Sequence, residues 1–244
     1  MALSTQRLDR YISRYLQVNR KDVRLILAQQ RVSVDNCIAT QTNQLVNKFS
    51  HIEIDGVVAQ RNNAHYIMLN KPVGVVCATK DTVHKTVIDV IAKDYEKTIL
   101  NELHIVGRLD LNTSGMVLLT NNSQWSESLT SPTAKVPKCY QVLLENALTD
   151  EYINAFAQGM FFSFENITTQ PVKLKILASH LAEVTLTEGK YHQIKRMFGR
   201  FRNRVVALHR QSIGQLQLDS ALPVGESRRL SANEVLMINK PINL

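Results

Sequence analysis

Residues 107–121 read Gly-Arg-Leu-Asp-Leu-Asn-Thr-Ser-Gly-Met-Val-Leu-Leu-Thr-Asn. Asp110 stands in a loop between two apolar segments, and Thr113, Ser114 and Gly115 lead straight into an apolar run of the kind that forms a buried strand. Short polar side chains and a glycine permit a tight backbone that would hold the Asp110 carboxylate in one rotamer, as carboxylate catalysis requires. The same aspartate could instead cap its own turn, giving its oxygens to nearby backbone N–H groups.

Two further segments carry reactive residue types. After Gly189, residues Ile194, Met197, Phe198 and Phe201 fall at i, i+3, i+4 and i+7, one apolar helical stripe. Lys195 lies about 100° round from Ile194, at the edge of that stripe. There it can be half-buried and still reach a carboxylate. Arg196, one step further, is expected to face solvent or a polyanion, although both residues could be ordinary solvated charges. Lys138-Cys139-Tyr140-Gln141-Val142 opens an expected strand. Tyr140 is either core filling or a flat ring on which a base stacks.

The remainder of the chain must position these groups. It has 244 residues, 44% of them hydrophobic, enough for one domain or for a small and a larger one. Lys and Arg number 29 against 21 Asp and Glu, a net charge of +8. The excess sits in two blocks. Residues 1–31 hold seven basic residues against Asp9 and Asp22, and residues 190–210 hold seven with no acid. Such blocks favour contacts with phosphates. Cys37, Cys77 and Cys139 are widely spaced with no C-x-x-C pair, which argues against a disulfide framework or zinc site and for a reducing compartment. No signal-peptide pattern and no run of about 18 apolar residues is present, so a cytoplasmic location without membrane contact is expected.

Leu8, Ile12 and Tyr15 predict one short helix, and Asn19, as N-cap, opens a second containing Val23, Ile26 and Leu27. Val32, Val34, Ile52 and Ile54 then alternate with polar residues, as strands do, and Gly56 is expected to close the unit. Residues 59–65 are expected to be a linker. Tyr66 to Leu69, Met116 to Leu119, Tyr140 to Leu144 and Val184 to Thr187 predict strands, and Ser231 with Glu234 predicts a capping box.

Gly107-Arg108-Leu109-Asp110 with Thr113-Ser114-Gly115 resembles the catalytic motif of pseudouridine synthases of the RsuA/RluA superfamily. Tyr66 to Pro72 with Gly74 is similar to that family's opening strand and turn. Lys138-x-Tyr140-x-Val142 resembles the motif bearing its active-site tyrosine, and Gly189-x-Tyr191-His192-Gln193-Ile194-Lys195-Arg196-Met197-Phe198 the segment bearing its basic partner. Leu208-His209-Arg210 with Ile213-Gly214 is similar to a later motif with a pocket-lining leucine. The N-terminal unit resembles an S4-type RNA-binding domain. Within the superfamily the RsuA branch, which acts on small-subunit (16S) ribosomal RNA, is the nearest, on Val76-Cys77-x-Thr79-x-Asp81-x-x-His84-x-Thr86-Val87 and Gln124-Trp125-Ser126. The large-subunit branch shares the S4-type domain and the Gly-Arg-Leu-Asp core. Asn122-Ser123 and Arg202 depart from the family pattern, Arg202 standing where a glycine is common.

The resemblance implies an α+β protein. Residues 1–60 would be the S4-type domain. Residues 61–244 would be a pseudouridine synthase domain with a mixed, mainly antiparallel sheet flanked by helices. It implies isomerisation of a ribosomal RNA uridine, with Asp110 as catalytic carboxylate, Lys195 as its cation, Tyr140 under the uracil, and Arg108 and Leu208 in the pocket. Arg7, Arg10, Arg20, Lys21, Arg24 and Arg196 would contact RNA. The reaction is an isomerisation, so no cofactor or metal is expected. The partner would be ribosomal RNA, as part of an assembling small subunit, with a monomer as the default state. A non-catalytic ribosome-assembly factor would carry the same basic blocks but has no use for the Asp110, Tyr140 and Lys195 trio. A glycosidase would need a second carboxylate, and none lies between Glu102 and Glu127 beside Asp110.

Overall fold

The computed structural model describes residues 5–238. They form two compact units, one of residues up to Ala64 together with Asn122–Glu127, the other of His65–Asn121 and the residues from Ser128 onward.

The first unit contains β1 (Gln6–Arg7), α1 (Leu8–Leu16), α2 (Arg20–Ala28), β2 (Val32–Val34), β3 (Cys37–Ile38), β4 (Leu45–Val46), β5 (Ile52–Ile54) and β6 (Val57–Gln60). Strands run β3-β2-β5-β6 in an antiparallel sheet, and β1 pairs with β4. The apolar faces of both helices (Leu8, Ile12, Val23, Ile26, Leu27) pack with Val32, Val34, Ile52 and Ile54 into one core. Two expectations change. Gly56 does not close the unit: Asp55 (φ 54°) and Gly56 (φ 76°) form the two-residue turn of a hairpin. Val57–Gln60 is therefore a fourth strand, and only the residues after Gln60 remain as linker. Tyr15 falls within α1 as its spacing predicts, on an exposed side of the helix, and stacks on Tyr11. Asn19 occupies the N-cap of α2 without a side-chain hydrogen bond.

Beyond residue 65 the strands are β7 (Tyr66–Lys71), β8 (His104–Val106), β9 (Ser114–Thr120), β10 (Lys138–Leu144), β11 (Phe161–Phe162), β12 (Ile167–Thr168), β13 (Lys173–Ala178), β14 (Leu181–Leu186), β15 (Val205–Ile213), β16 (Leu216–Gln217) and β17 (Ser227–Arg229). The helices are α3 (Val87–Ile91), α4 (Lys97–Glu102), α5 (Ser123–Thr130), α6 (Asp150–Gln158), α7 (Gln193–Gly199) and α8 (Ala232–Met237). The main sheet runs β13-β14-β10-β15-β9-β7-β17, with β16 beside β15 and β8 beside β9. Its pairings are antiparallel except β9 with β15, which is parallel, so the sheet is mixed and mainly antiparallel as expected. The capping box at Ser231 and Glu234 is formed.

One edge of β9 lies along β7 from Gly115 to Thr120. The other edge forks: Ser114 and Gly115 pair with His209 and Arg210 of β15, while Leu118 to Thr120 pair with β8. The Met116 carbonyl at the fork is taken by the Arg210 side chain, Nε to O 2.8 Å. Gly115 is what allows β15 so close. Its φ is +104°, and a Cβ there would lie 2.3 Å from the Arg210 carbonyl oxygen and 2.6 Å from its nitrogen. Gly115→Ala is therefore expected to destabilise the protein by about 3 kcal/mol or more. Denaturant unfolding monitored by circular dichroism checks this, and a midpoint equal to wild type would contradict it.

Candidate active site

The loop that carries Asp110 is held by two cations with no carboxylate within ion-pair distance among the described residues. Arg210, 1% exposed, stands on β15 opposite Tyr140 of β10. Besides Met116, its guanidinium donates to the carbonyls of Gly107 (2.6 Å) and Arg108 (3.4 Å) and to the Tyr140 hydroxyl (3.4 Å). Lys71, the last residue of β7, is fully buried and donates from Nζ to the carbonyls of Pro72 (2.8 Å), Thr113 (2.8 Å) and Leu111 (3.4 Å). Arg210 thus holds the loop before Asp110 and Lys71 holds it after. Burial pulls the Lys71 ammonium below its ordinary range, opposed by the nearby Cys77 and Asp110. The Cys77 sulfur accepts the Leu109 N–H at 3.2 Å, and burial pushes this thiol up.

The residue facing Asp110 comes from α7. Ile194, Met197 and Phe198 are buried, with Phe198 against Phe156 (centroids 4.7 Å) and Tyr152 (5.9 Å) of α6. Each buried apolar side chain contributes about 1.5–3 kcal/mol, so α7 has one seat. Asn203 just beyond it donates to the Asn146 carbonyl and the Tyr152 hydroxyl. From this helix Lys195 places Nζ 3.4 Å from Asp110 Oδ2. His192 Nε2 approaches the same oxygen, also at 3.4 Å.

These groups line a cavity of about 760 Å³, within the range of nucleotide-sized sites. Tyr140, Leu208, Arg108 and Lys138 contribute to the same wall. Tyr140 is 8% exposed. Lys138 donates to the Val136 carbonyl at 3.1 Å, and burial, with Arg210 adding to it, pushes its ammonium down to about 8. Asp110 and Glu188 are the carboxylates of the lining, against Arg108, Lys138, Lys190, Lys195 and Arg210. The cavity therefore favours an anionic guest. Among the described residues no group of three or more His, Cys, Asp or Glu side chains is placed to hold a metal ion.

A carboxylate held beside a lysine, in a mainly cationic cavity with a tyrosine ring in its wall, is suited to acting on a nucleotide. Residues 65–199 match the family model of RNA pseudouridylate synthases. The chain belongs to the RNA pseudouridylate synthase family. A relative from Pseudomonas aeruginosa, called ribosomal small subunit pseudouridine synthase A, is 41% identical over 95% of this chain and 100% of its own length. One of the same name from Escherichia coli is 37% identical over 95% of this chain and 99% of its own. A crystal structure of a pseudouridylate synthase, 34% identical, superposes with a TM-score of 0.68 over 95% of this chain and 99% of the other.

Within this pseudouridylate synthase, the sequence-expected residues Asp110, Tyr140, Lys195, Arg108 and Leu208 meet in one cavity. Arg196 does not present a free charge to RNA. Both its terminal nitrogens pair with Glu165 at 2.6 Å, and its guanidinium lies 3.8 Å from the centre of the Phe162 ring. The basic block 190–210 is likewise not one phosphate-binding face. Arg210 is core, Arg204 pairs with Glu145 (3.0 Å), Lys190 lies near Glu188 (3.6 Å), and Lys195 serves Asp110. Arg202 adopts φ 53°, which explains why glycine suits its position. In the first unit Arg7, Arg10, Arg20, Lys21 and Arg24 are all exposed, though Arg7 hydrogen-bonds Asp9 (2.8 Å). Sequence reasoning missed Lys71 and Arg210 as the loop's supports, and His192. The signal for Lys71 and Arg210 was a charged residue at an apolar position of a strand.

Two outcomes follow from this geometry. Lys71→Met takes the ammonium donor from the buried Thr113 carbonyl and the part-buried Pro72 carbonyl, so guanidinium unfolding should show a loss of about 1–3 kcal/mol; a midpoint equal to wild type would remove Lys71 from its supporting role. For Lys138, the folded-state value of about 8 lies below the ordinary lysine value of 10.5. Between these values the unfolded chain binds a proton the folded chain lacks, so stability rises with pH across that window. Below about 8 both states are charged and the cost of burial is fully present. The stability difference between wild type and Lys138→Met should therefore shift in favour of wild type from pH 8 to pH 10, and a pH-independent difference would contradict the assignment.

Proposed function

We propose that this protein converts a uridine of small-subunit ribosomal RNA to pseudouridine. The observation that carries the reading is the Asp110–Lys195 pair, set by buried supports in a cavity walled by Tyr140 and Leu208. The relatives named for the small ribosomal subunit match the chain along nearly its whole length, which supports that subunit as the source of the substrate.

The reaction breaks the N1–C1′ bond, turns the uracil and joins C5 to C1′; the C5 proton leaves and N1 regains one, so substrate and product are isomers. The target nucleotide must leave its stack to reach a cavity of this kind. Asp110 acts at the everted nucleotide as the ionised group, with the compact charge of Lys195 beside it in a site that substrate closes to water. Tyr140 offers its ring to the uracil, its hydroxyl anchored by Arg210. Leu208 fills the wall and Arg108 stands at the rim of the site. The first unit serves as an S4-type RNA-binding domain ending near residue 60, with exposed Arg10, Lys21 and Arg24 contacting phosphates, Arg7 and Arg20 beside them. The protein acts as a monomer, in the cytoplasm, on an assembling subunit. In the structure itself, no helix among the described residues is long and apolar enough to cross a membrane.

Chemical mapping of pseudouridines in small-subunit rRNA, from cells with and without the protein, tests the reading; an unchanged map sinks it. Asp110→Asn should abolish pseudouridine formation while RNA binding survives. Lys195→Met should slow turnover by about 10²–10³-fold. Turnover at the wild-type rate in Asp110→Asn would take the chemistry away from this carboxylate.

A further inference from the structure

We propose that His192 is a second positioning residue for the Asp110 carboxylate, sharing Oδ2 with Lys195 so that Oδ1 is the oxygen offered to the everted nucleotide. The inference rests on the reading of Asp110 given above.

Three observations on the histidine converge. Its backbone is left-handed, φ 49° and ψ 32°, a conformation that disfavours a residue with a side chain and persists where the surroundings impose it. It occupies the N-cap of α7, yet its side chain makes no capping bond. The imidazole is instead turned to Asp110, with Nε2 3.4 Å from Oδ2. The Tyr191 ring lies against the imidazole, centroids 3.9 Å apart and planes 19° from parallel, so one face of the ring is covered.

Lys195 Nζ reaches that same oxygen at 3.4 Å, and no partner of Oδ1 is found among the described residues. One cation on a flexible four-carbon stem supplies charge but little direction. A second group, an imidazole on a short stem with its backbone left-handed and the Tyr191 ring over one face, supplies direction once its Nε2–H closes on Oδ2. Together the two groups oppose rotation of the carboxylate about its terminal bond. Contacts of 3.4 Å are long for hydrogen bonds, and catalytic contacts of this kind shorten when substrate fills the site. The division of labour is then charge from Lys195, orientation from His192, and an unoccupied Oδ1 for the nucleotide.

The test compares His192→Gly, His192→Ala and His192→Gln with wild type on 16S transcript or small-subunit particle, whichever the wild type modifies. Glycine suits the left-handed backbone, so His192→Gly should unfold at a temperature no lower than wild type, which separates the role from folding. In the Gly and Ala variants kcat should fall about 10–100-fold with KM changed less than about threefold. Glutamine places an amide N–H near the reach of Nε2 and should restore kcat to within about fivefold of wild type. Wild-type kcat in the Gly and Ala variants overturns the proposal. So does an effect confined to KM, or a Gln variant as slow as Ala. Wild-type protein that forms no pseudouridine on any of these RNAs would instead refute the functional reading itself.

Discussion

Two buried positive charges meet backbone carbonyls instead of carboxylates, and the site depends on this. Removing a guanidinium or an ammonium from water is costly: buried without a partner, either would destabilise the fold, and the ammonium could also lose its proton. Here the partners are carbonyl dipoles of the loop around Asp110: Gly107 and Arg108 for Arg210, Leu111 and Thr113 for Lys71. The requirement runs both ways. The cations need those carbonyls to remain buried, and the loop needs the cations to keep its carbonyls satisfied. A loop that would otherwise sample many shapes is left with one, and Asp110 sits at its midpoint.

The same arrangement sets the electrostatics of the cavity. Arg210 and Lys71 bring positive charge behind the loop and Lys195 brings it in front, so the Asp110 carboxylate is the anion among them. The helix carrying Lys195 is seated through Ile194, Met197 and Phe198, and the strand carrying Tyr140 is hydrogen-bonded to the strand carrying Arg210. Each reactive side chain is thus one residue away from, or directly opposite, a residue buried for packing. The positions of Asp110, Tyr140 and Lys195 therefore follow from the packing of the core around them.

That logic also explains what could be read from residue types alone. The apolar alternation in Val32–Val34, the run from Met116 to Leu119 and the stripe on α7 are local patterns, and each is an element of the structure. Asp110, Tyr140 and Lys195 stood out as a set because the three segments that carry them resemble motifs of one known family. Strand β15 was not visible as a strand. Its buried positions include Leu208, Arg210 and Ser212, which alternate correctly in burial but not in polarity. Lys71 was hidden in the same way: a lysine just beyond the apolar run Tyr66 to Leu69 and beside Pro72 gives no sign that it ends a core strand. Arg196 failed for a different reason. Helical angles place it outward, but Glu165 and Phe162, more than thirty residues earlier, fold over it, and no local pattern carries that contact. Tyr15 follows the helical period and yet is exposed, because Asp9 takes a buried place on α1 beside Leu8 and Ile12.

The parallel pairing of β9 with β15 has a consequence for how the protein comes into being. Parallel neighbours cannot be joined by a hairpin, and here the partners, such as Ser114 and His209, lie 95 residues apart along the chain. While the polypeptide is still emerging from the ribosome, Asp110 is exposed well before the segment that secures its loop has been translated. The first unit closes its own core from residues before Ala64 and has no such wait. During biosynthesis, therefore, the unit that carries the exposed arginines of α1 and α2 can close its core early, whereas the loop around Asp110 gains its Arg210 support only late.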